Sequence, residues 1–552
     1  MPQRHINSQV PTLWQLPDAH SSTSKMEAHD QAVAAIASRV RRFSERQQPF
    51  RIYHGSTNST RHSDKRPDNT VDTSQLDRVL SVDAGGSGTA VAEPNVPMDA
   101  LVAATLPRGL VPPVVMEFPG ITVGGGFSGT SGESSSFRYG AFDATVVRIE
   151  MVLPTGEVAH ASRTQRPDLF WGAASAFGTL GVVTLLEVRL IAAKPFVELE
   201  YRLSRSIAEA VEQMRVETAR DDNDFVDGIA YSSDAVVICA GRMVDTVPDG
   251  ASQRRFTRAR DPWFYIHVEK HALPRLKKAA PDGGGGGGVT VKDYIPLTDY
   301  LFRYDRGGFW AARWAFRYFC TPFNRITRFA LNPLMSTRVM YRALHKSGLA
   351  DSYMTQDVGV PMDAAPALAA WLAAEMPAVL PLWLCPLRVR REGGADAAHG
   401  LHARFADPTH PDLLNFGVWG ELPSTVRGRR DAVRVNRALE AEVARLGGTK
   451  WLYAQAFYTE DEFWARYDRA SYDALRARCG AVYLPSVYDK VRVDVEAEEA
   501  AAAAARATGL ARLRRTLFRV WPVRGLYGVY KALEGGDYLL QKTRRPLEVS
   551  GK

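Results

Sequence analysis

Gly120-Ile-Thr-Val-Gly-Gly-Gly-Phe-Ser-Gly-Thr-Ser-Gly-Glu-Ser-Ser-Ser136 places six glycines among the thirteen residues 120–132 and interleaves them with hydroxyl side chains. Glycine lets backbone approach a ligand closely, and hydroxyls add donors, so the stretch suits chain wrapped around a pyrophosphate and a planar ring. A dinucleotide-fold fingerprint fails here, because that motif must end a strand and open a helix, and no apolar helix pattern follows. The competing reading is an irregular, close-packed loop. The cofactor-contacting candidates are Thr122, Val123, Gly124, Gly125, Gly126, Phe127, Ser128, Gly129, Thr130, Ser131, Gly132, Glu133 and Ser134. Upstream, a strand runs into Gly55, Ser56, Thr57, Asn58, Ser59 and Thr60, which can turn successive N–H groups toward one anion or form a plain surface turn. Downstream, Gly178, Thr179 and Gly181 make a tight turn entering a buried strand.

Around these turns the pattern is α+β. Val33, Ile36, Val40 and Phe43 predict an amphipathic helix over Met26–Glu45. Short β-branched runs then alternate with Gly-rich turns to about Lys194, including a hairpin about Pro154-Thr155-Gly156. We expect a disordered N-terminus over 1–25, a first α+β domain over 26–195, a second α+β domain over 196–492, and an Ala-rich linker with a basic amphipathic tail over 493–552. The six glycines at 283–288 read as a flexible surface loop.

The 552 residues are 45% hydrophobic, which supports packed cores, and the four cysteines (Cys239, Cys320, Cys385, Cys479) form no CxxC pair. No metal site is expected. The N-terminus shows no apolar signal region and no run is long enough to span a bilayer, so secretion and conventional membrane insertion are not expected. Net charge is +8, and residues 506–552 carry eleven Lys and Arg against three acids, which accounts for all of it. A near-neutral body with a basic appendage argues against nucleic acid and for an anionic membrane surface. Aromatics interleaved with arginines at 300–341 fit either core packing or interfacial docking, and those at 511–538 favour the membrane.

The three Gly-bearing turns, in this order and spacing, resemble the flavin-binding domain of the vanillyl-alcohol oxidase and p-cresol methylhydroxylase (PCMH-type) superfamily. Ala92-Glu93-Pro94, ITVGGGFSGTSGESSSFRYG (121–140), DLFWGAASAFGTLGVVTLLEVRLI (168–191), DFVDGIAYS (224–232), DPWFYIHVE (261–269), DYIPLTDYLFRYDRGGFW (293–310), TQDVGVPM (355–362), PLWLCPL (381–387) and Asp461-Glu462-Phe463-Trp464 narrow it. Over about residues 80–490 the chain resembles the Delta(24)-sterol reductase (24-dehydrocholesterol reductase) family. Its pattern keeps Tyr294, Pro296, Tyr300, Arg303, Arg306, Phe309 and Trp310 but has Phe302 and Tyr304 where the family has histidines.

The resemblance implies an FAD-binding PCMH-type domain with a substrate domain behind it, NADPH as reductant, and a sterol whose side-chain double bond is reduced by a peripheral protein of the endoplasmic-reticulum membrane. His54 precedes the loop glycine instead of ending the loop, so noncovalent FAD is expected. Reducing an isolated alkene needs a hydride and a proton on adjacent carbons. The tertiary carbon bears positive charge best, which assigns the proton to carbon 24 and the hydride to carbon 25. Candidate proton donors are Tyr294, Tyr300, Tyr304 and Glu117, with Glu133 beside the loop. Arg303 and Arg306 pair either with a cofactor phosphate or with Asp299 and Asp305. Alternative readings are a flavin oxidase or dehydrogenase acting on another lipid or alcohol, and a silent flavin-binding membrane protein. The oligomeric state is unspecified.

Overall fold

The computed structural model describes residues 19–55, 65–279, 291–423, 425–505, 517–518 and 520–535. The 56–60 turn, the six-glycine run, positions 1–18 of the expected N-terminal coil and most of the basic tail lie outside the described residues.

The first helix spans Ala19–Glu45 and buries Val33, Ile36, Val40 and Phe43 against Val71, Leu76, Val152 and Val182. It starts seven residues earlier than the apolar spacing predicts, so 19–25 are helical rather than coil. Polar anchors explain the difference: Lys25 reaches the Val79 carbonyl, and His29 is buried between Glu93 (Nδ1, 2.9 Å) and Glu150 (Nε2, 3.2 Å). Burial opposes a charge on His29, but the two carboxylates outweigh it and hold its pKa up at about 9. A histidine raised above its unfolded pKa of 6.5 stabilises fully below that pH and loses the contribution as pH rises toward 9. His29→Gln should therefore lower the melting temperature at pH 6 and change it little above pH 9. The contribution is on the order of 3 kcal/mol at most, and an equal loss at both pH values would refute it.

Five antiparallel strands form the first sheet in the order Val79–Asp83, Thr89–Ala92, Val182–Arg189, Val146–Val152, Val158–Ser162. The last pair is the hairpin read from Pro154-Thr155-Gly156, with Gly156 at φ +86°. Beside it, Arg51–Tyr53 pairs in parallel with Thr70–Asp72.

The second sheet has eight antiparallel strands, ordered Val291–Pro296, Phe196–Ser204, Ala235–Val244, Phe225–Ser232, Leu382–Leu387, Leu413–Glu421, Tyr353–Pro361, Thr449–Lys450. Helices Ile207–Thr218, Ala365–Glu375 and Arg429–Arg445 cover one face through Val211, Met214, Leu368, Leu372, Leu439 and Val443. The other face joins the core of the first domain. Covered on both sides, its strands read as continuous apolar runs such as Val236-Val-Ile-Cys-Ala240 instead of alternating.

Two segments depart from the linear domain reading. Arg469–Val491 packs on the first domain: Tyr472 donates to Thr179 Oγ1 (2.7 Å), Tyr483 to the Pro154 carbonyl (2.8 Å), and Lys490 to the Phe177 carbonyl (2.6 Å). The tail is not wholly an appendage either. Its helix Val523–Glu534 lies along helix Thr337–Ser347, because Gly525 and Gly528 present no side chain and admit Tyr318, Phe319, Ala343 and Ser347 at close range. Arg524 donates to the carbonyls of Ser347 and Gly348, closing the C-terminus of that partner helix. Amphipathic spacing alone could not tell lipid from protein as the partner of this apolar face.

Candidate active site

The glycine stretch does contain a helix. Thr122 caps it, its Oγ1 accepting from Gly125 N (3.1 Å), and Val123–Gly129 completes two turns. A helix this short and this rich in glycine has no apolar periodicity, so the pattern argument misses it. Its residues divide by face. Gly124, Gly125, Ser128 and Gly129 line a large cavity, whereas Val123, Gly126 and Phe127 are buried in the core. Ser131, Gly132, Glu133, Gly178 and Gly181 also line the cavity, as does His54. Thr130, Ser134 and Thr179 serve the scaffold: the Thr130 carbonyl accepts from the Trp451 indole (2.8 Å), the Ser134 carbonyl from Val226 N (2.7 Å), and Thr179 bonds Ala176 and Tyr472. Gly55 ends the described part of the first turn, and Ser56, Thr57, Asn58, Ser59 and Thr60 lie outside the described residues.

The cavity measures about 1160 Å³ and is lined by residues of both sheets, among them Met151 and Val182 of the first and Asp357 and Trp383 of the second. That exceeds the roughly 300–1,000 Å³ of an ordinary small-molecule site. Its first part is backbone-lined. A Cβ on Gly125 would meet only Thr122 Oγ1 at 3.1 Å and Ile121 at 3.8 Å, so the space beyond the helix is open to a ligand. Its second part is apolar, walled by Trp314, Leu334, Met340 and Leu344 and closed by Leu526, Val529 and Ala532 of the last helix.

Glu117 and Glu133 on the cavity wall belong to a buried charge cluster. Arg303 Nη2 lies 2.8 Å from Asp227 Oδ2 and 3.1 Å from Glu117 Oε1. Asp227 Oδ2 also accepts from Tyr304 (3.0 Å) and the Trp383 indole (3.0 Å). Arg303 is thus already compensated, and Glu117 adds an extra buried acid whose oxygens have no hydrogen-bond donor among the described residues. Burial pushes Glu117 up to about 8; Arg303 opposes the shift and Asp227 adds to it. Glu133, which accepts from Glu117 N (3.2 Å), is raised as well, by burial and by Glu117 itself. Both line the cavity.

Of the four proton-donor candidates from the sequence, only Glu117 lines the cavity. Tyr294 donates to Glu198 (2.9 Å) on a sheet strand, Tyr300 lies under Arg303 with its ring 4.0 Å away, and Tyr304 serves Asp227. The phenols are buried packing groups whose titration burial pushes well up in Tyr300 and Tyr304. Arg306 bonds the carbonyls of Phe256, Ala259 and Asp261, Asp299 holds Arg255, and Asp305 holds Thr337, so neither arginine makes the surface pair considered for it. Asp357, Asn415 and Tyr453, which also line the cavity, were not among the site candidates read from the sequence, because nothing in a strand or loop pattern marks which residues will face a distant helix.

Comparison with known proteins bears on this geometry. Residues 30–162 match the family model described as an FAD binding domain. The chain is 29% identical over 412 residues to Delta(24)-sterol reductase of Homo sapiens, covering 72% of this chain and 73% of that one. It is 27% identical to the Delta(24)-sterol reductase homolog dhcr-24 of Caenorhabditis elegans (76% and 78% covered) and 28% identical to Delta(24)-sterol reductase of Arabidopsis thaliana (73% and 73%).

Proposed function

We propose that this chain, which carries an FAD binding domain and is similar over 72% of its length to Delta(24)-sterol reductases, is an FAD-dependent reductase of the side-chain double bond of sterols. The observation that carries the reading is one cavity lined by the backbone of the glycine helix and by apolar side chains, with the buried carboxyl group of Glu117 on its wall. FAD supplies the hydride when bound, and NADPH reloads it at the same face. Thr122, Gly124, Gly125, Ser128, Gly132 and Gly178 hold the cofactor without a covalent bond. The apolar wall holds the sterol body and excludes water, and Glu117 delivers the proton to carbon 24.

At neutral pH a carboxyl group of pKa about 8 keeps its proton. Arg303, 3.1 Å away, stabilises the carboxylate when the proton leaves, and Asp227 keeps the proton affinity of Glu117 high until then. Adding a Delta(24)-unsaturated sterol, FAD and NADPH to the purified protein and profiling the sterols tests the reading. Reduction at another bond, oxidation of the sterol, or no turnover would sink it. Acid precipitation should release yellow FAD into the supernatant. Gly125→Trp should abolish flavin retention by filling the cradle, and a variant that keeps stoichiometric FAD would place the cofactor elsewhere.

For membrane attachment, Leu517, Val520, Trp521, Leu526, Tyr530 and Leu533, with Ile326 and Phe329, leave apolar surface exposed beside a basic C-terminal sequence. Among the described residues no helix is long and apolar enough to cross a membrane. These features support a peripheral protein on an anionic membrane face, with the endoplasmic reticulum as the compartment this reading implies.

A further inference from the structure

The second-domain wall of the cavity carries a polar set that the sterol reaction leaves unused. Asp357, on strand Tyr353–Pro361, accepts from Asn415 Nδ2 at Oδ1 (3.0 Å) and from the Tyr453 hydroxyl at Oδ2. A carboxylate accepts only from the N–H side of an amide, which fixes the Asn415 orientation and leaves its Oδ1 as a buried acceptor. That atom has no partner among the described residues, although Asn415 is only 4% exposed. The set sits against the glycine helix: Trp451 donates its backbone N–H to the Asp357 carbonyl (3.0 Å) and its indole N–H to the Thr130 carbonyl (2.8 Å). Next to it Trp419 and Trp383 stack 6.1 Å apart at 22°, a flat face for a planar ring.

The alkene end of a sterol has no hydrogen-bond donor. Seated here it would do nothing for Asn415 Oδ1, which is already buried without a partner among the described residues, a costly state. The occupant must therefore be flat and bring N–H groups. We infer that Asp357, Asn415 and Tyr453 form the docking point for the carboxamide of the reduced pyridine nucleotide, whose two N–H groups meet Asn415 Oδ1 and a remaining lone pair of Asp357. This rests on the NADPH-dependent reading above, and it gives the two alternating occupants of one cavity separate handles: a polar one for the nucleotide and an apolar one for the sterol.

Anaerobic rapid-mixing experiments on the full-length flavoprotein test it in three arms. Mixed with NADPH or with its reduced 3-acetylpyridine analogue, which has a methyl group in place of the amide nitrogen, the native protein should reduce its flavin with roughly tenfold or greater preference for NADPH. Asn415→Leu, and the near-isosteric Asp357→Asn as a guard against misfolding, should lose that preference through weaker nucleotide binding. Both variants should keep native flavin absorbance, and when reduced with dithionite should be reoxidised by Delta(24)-unsaturated sterol at the native rate. Equal use of the two donors by the native protein overturns the inference. So does loss of flavin from both variants, which would assign the set to the cofactor's own imide edge, or a defect confined to sterol reoxidation, which would assign it to proton delivery. A native flavin that sterol reoxidises but neither nucleotide reduces overturns the NADPH reading and this inference with it.

Discussion

Glu117→Gln should lower turnover of a Delta(24)-unsaturated sterol by roughly 10²–10⁴-fold, the usual contribution of a positioned general acid, while leaving FAD bound and its reduction by NADPH intact. Glutamine keeps the shape of the side chain and removes the proton. The native protein adds a pH signature. The acid form of Glu117 prevails below its raised pKa of about 8, so turnover should hold at neutral pH and fall as pH rises through that value. In the glutamine variant the residual rate should show no such fall. The groups facing Glu117 are Arg303, Asp227 and Glu133, and none needs to change charge to produce this profile. If the variant turns over like the native protein, the proton comes from elsewhere and the cluster is only a buried ion-pair network. Measuring the two half-reactions separately locates the loss, since only sterol reduction consumes the proton.

Deleting residues 517–552 should cost sterol turnover as well as membrane attachment, on the order of a hundredfold in kcat/KM, because a reacting group held loosely loses about that much. The expectation follows from the helix Val523–Glu534, whose Val529 and Ala532 line the apolar chamber while its Tyr530 and Leu533 are exposed. One element thus serves the cavity on one side and the surface on the other. Point variants separate the two roles. A Cβ on Gly528 would stand 2.6 Å from the Ala343 carbonyl and 2.8 Å from Ser347 Cβ, so Gly528→Val must push the helix off its seat. Overpacking of this kind costs about 1–3 kcal/mol; the variant should raise the KM for sterol in detergent and expose the C-terminus to protease. Leu533→Ser, on the 66% exposed outer side, should keep detergent turnover and reduce sedimentation with anionic vesicles. A truncated protein with native turnover in detergent would restore the tail to a simple anchor.

Local chemistry along the chain was enough to determine much of this protein. Strand and turn composition marked the first sheet and its Pro154-Thr155-Gly156 hairpin, because period-two burial and φ > 0 glycines leave short-range traces. Gly124 and Gly178 announced close backbone packing, since a Cβ there would strike Pro94 at 2.7 Å and Ile52 at 2.4 Å, and that requirement is written residue by residue. The short helix over Val123–Gly129 was not legible, since glycine hides periodicity and a single cap at Thr122 sets its start. Nor was the choice among Glu117, Tyr294, Tyr300 and Tyr304. All four are chemically competent, and only the packing of the two sheets and their helices decides which one faces the cavity and which are spent on Asp227, Glu198 or packing. The elevated proton affinity of Glu117 is likewise a property of assembly, arising where a guanidinium 186 positions away in sequence is already claimed by Asp227. The last helix shows the same division. Its amphipathic pattern stated that one face would be buried; whether water-free lipid or the glycine-admitting surface of helix Thr337–Ser347 would cover it is a question of shape, which exists only once the chain has folded.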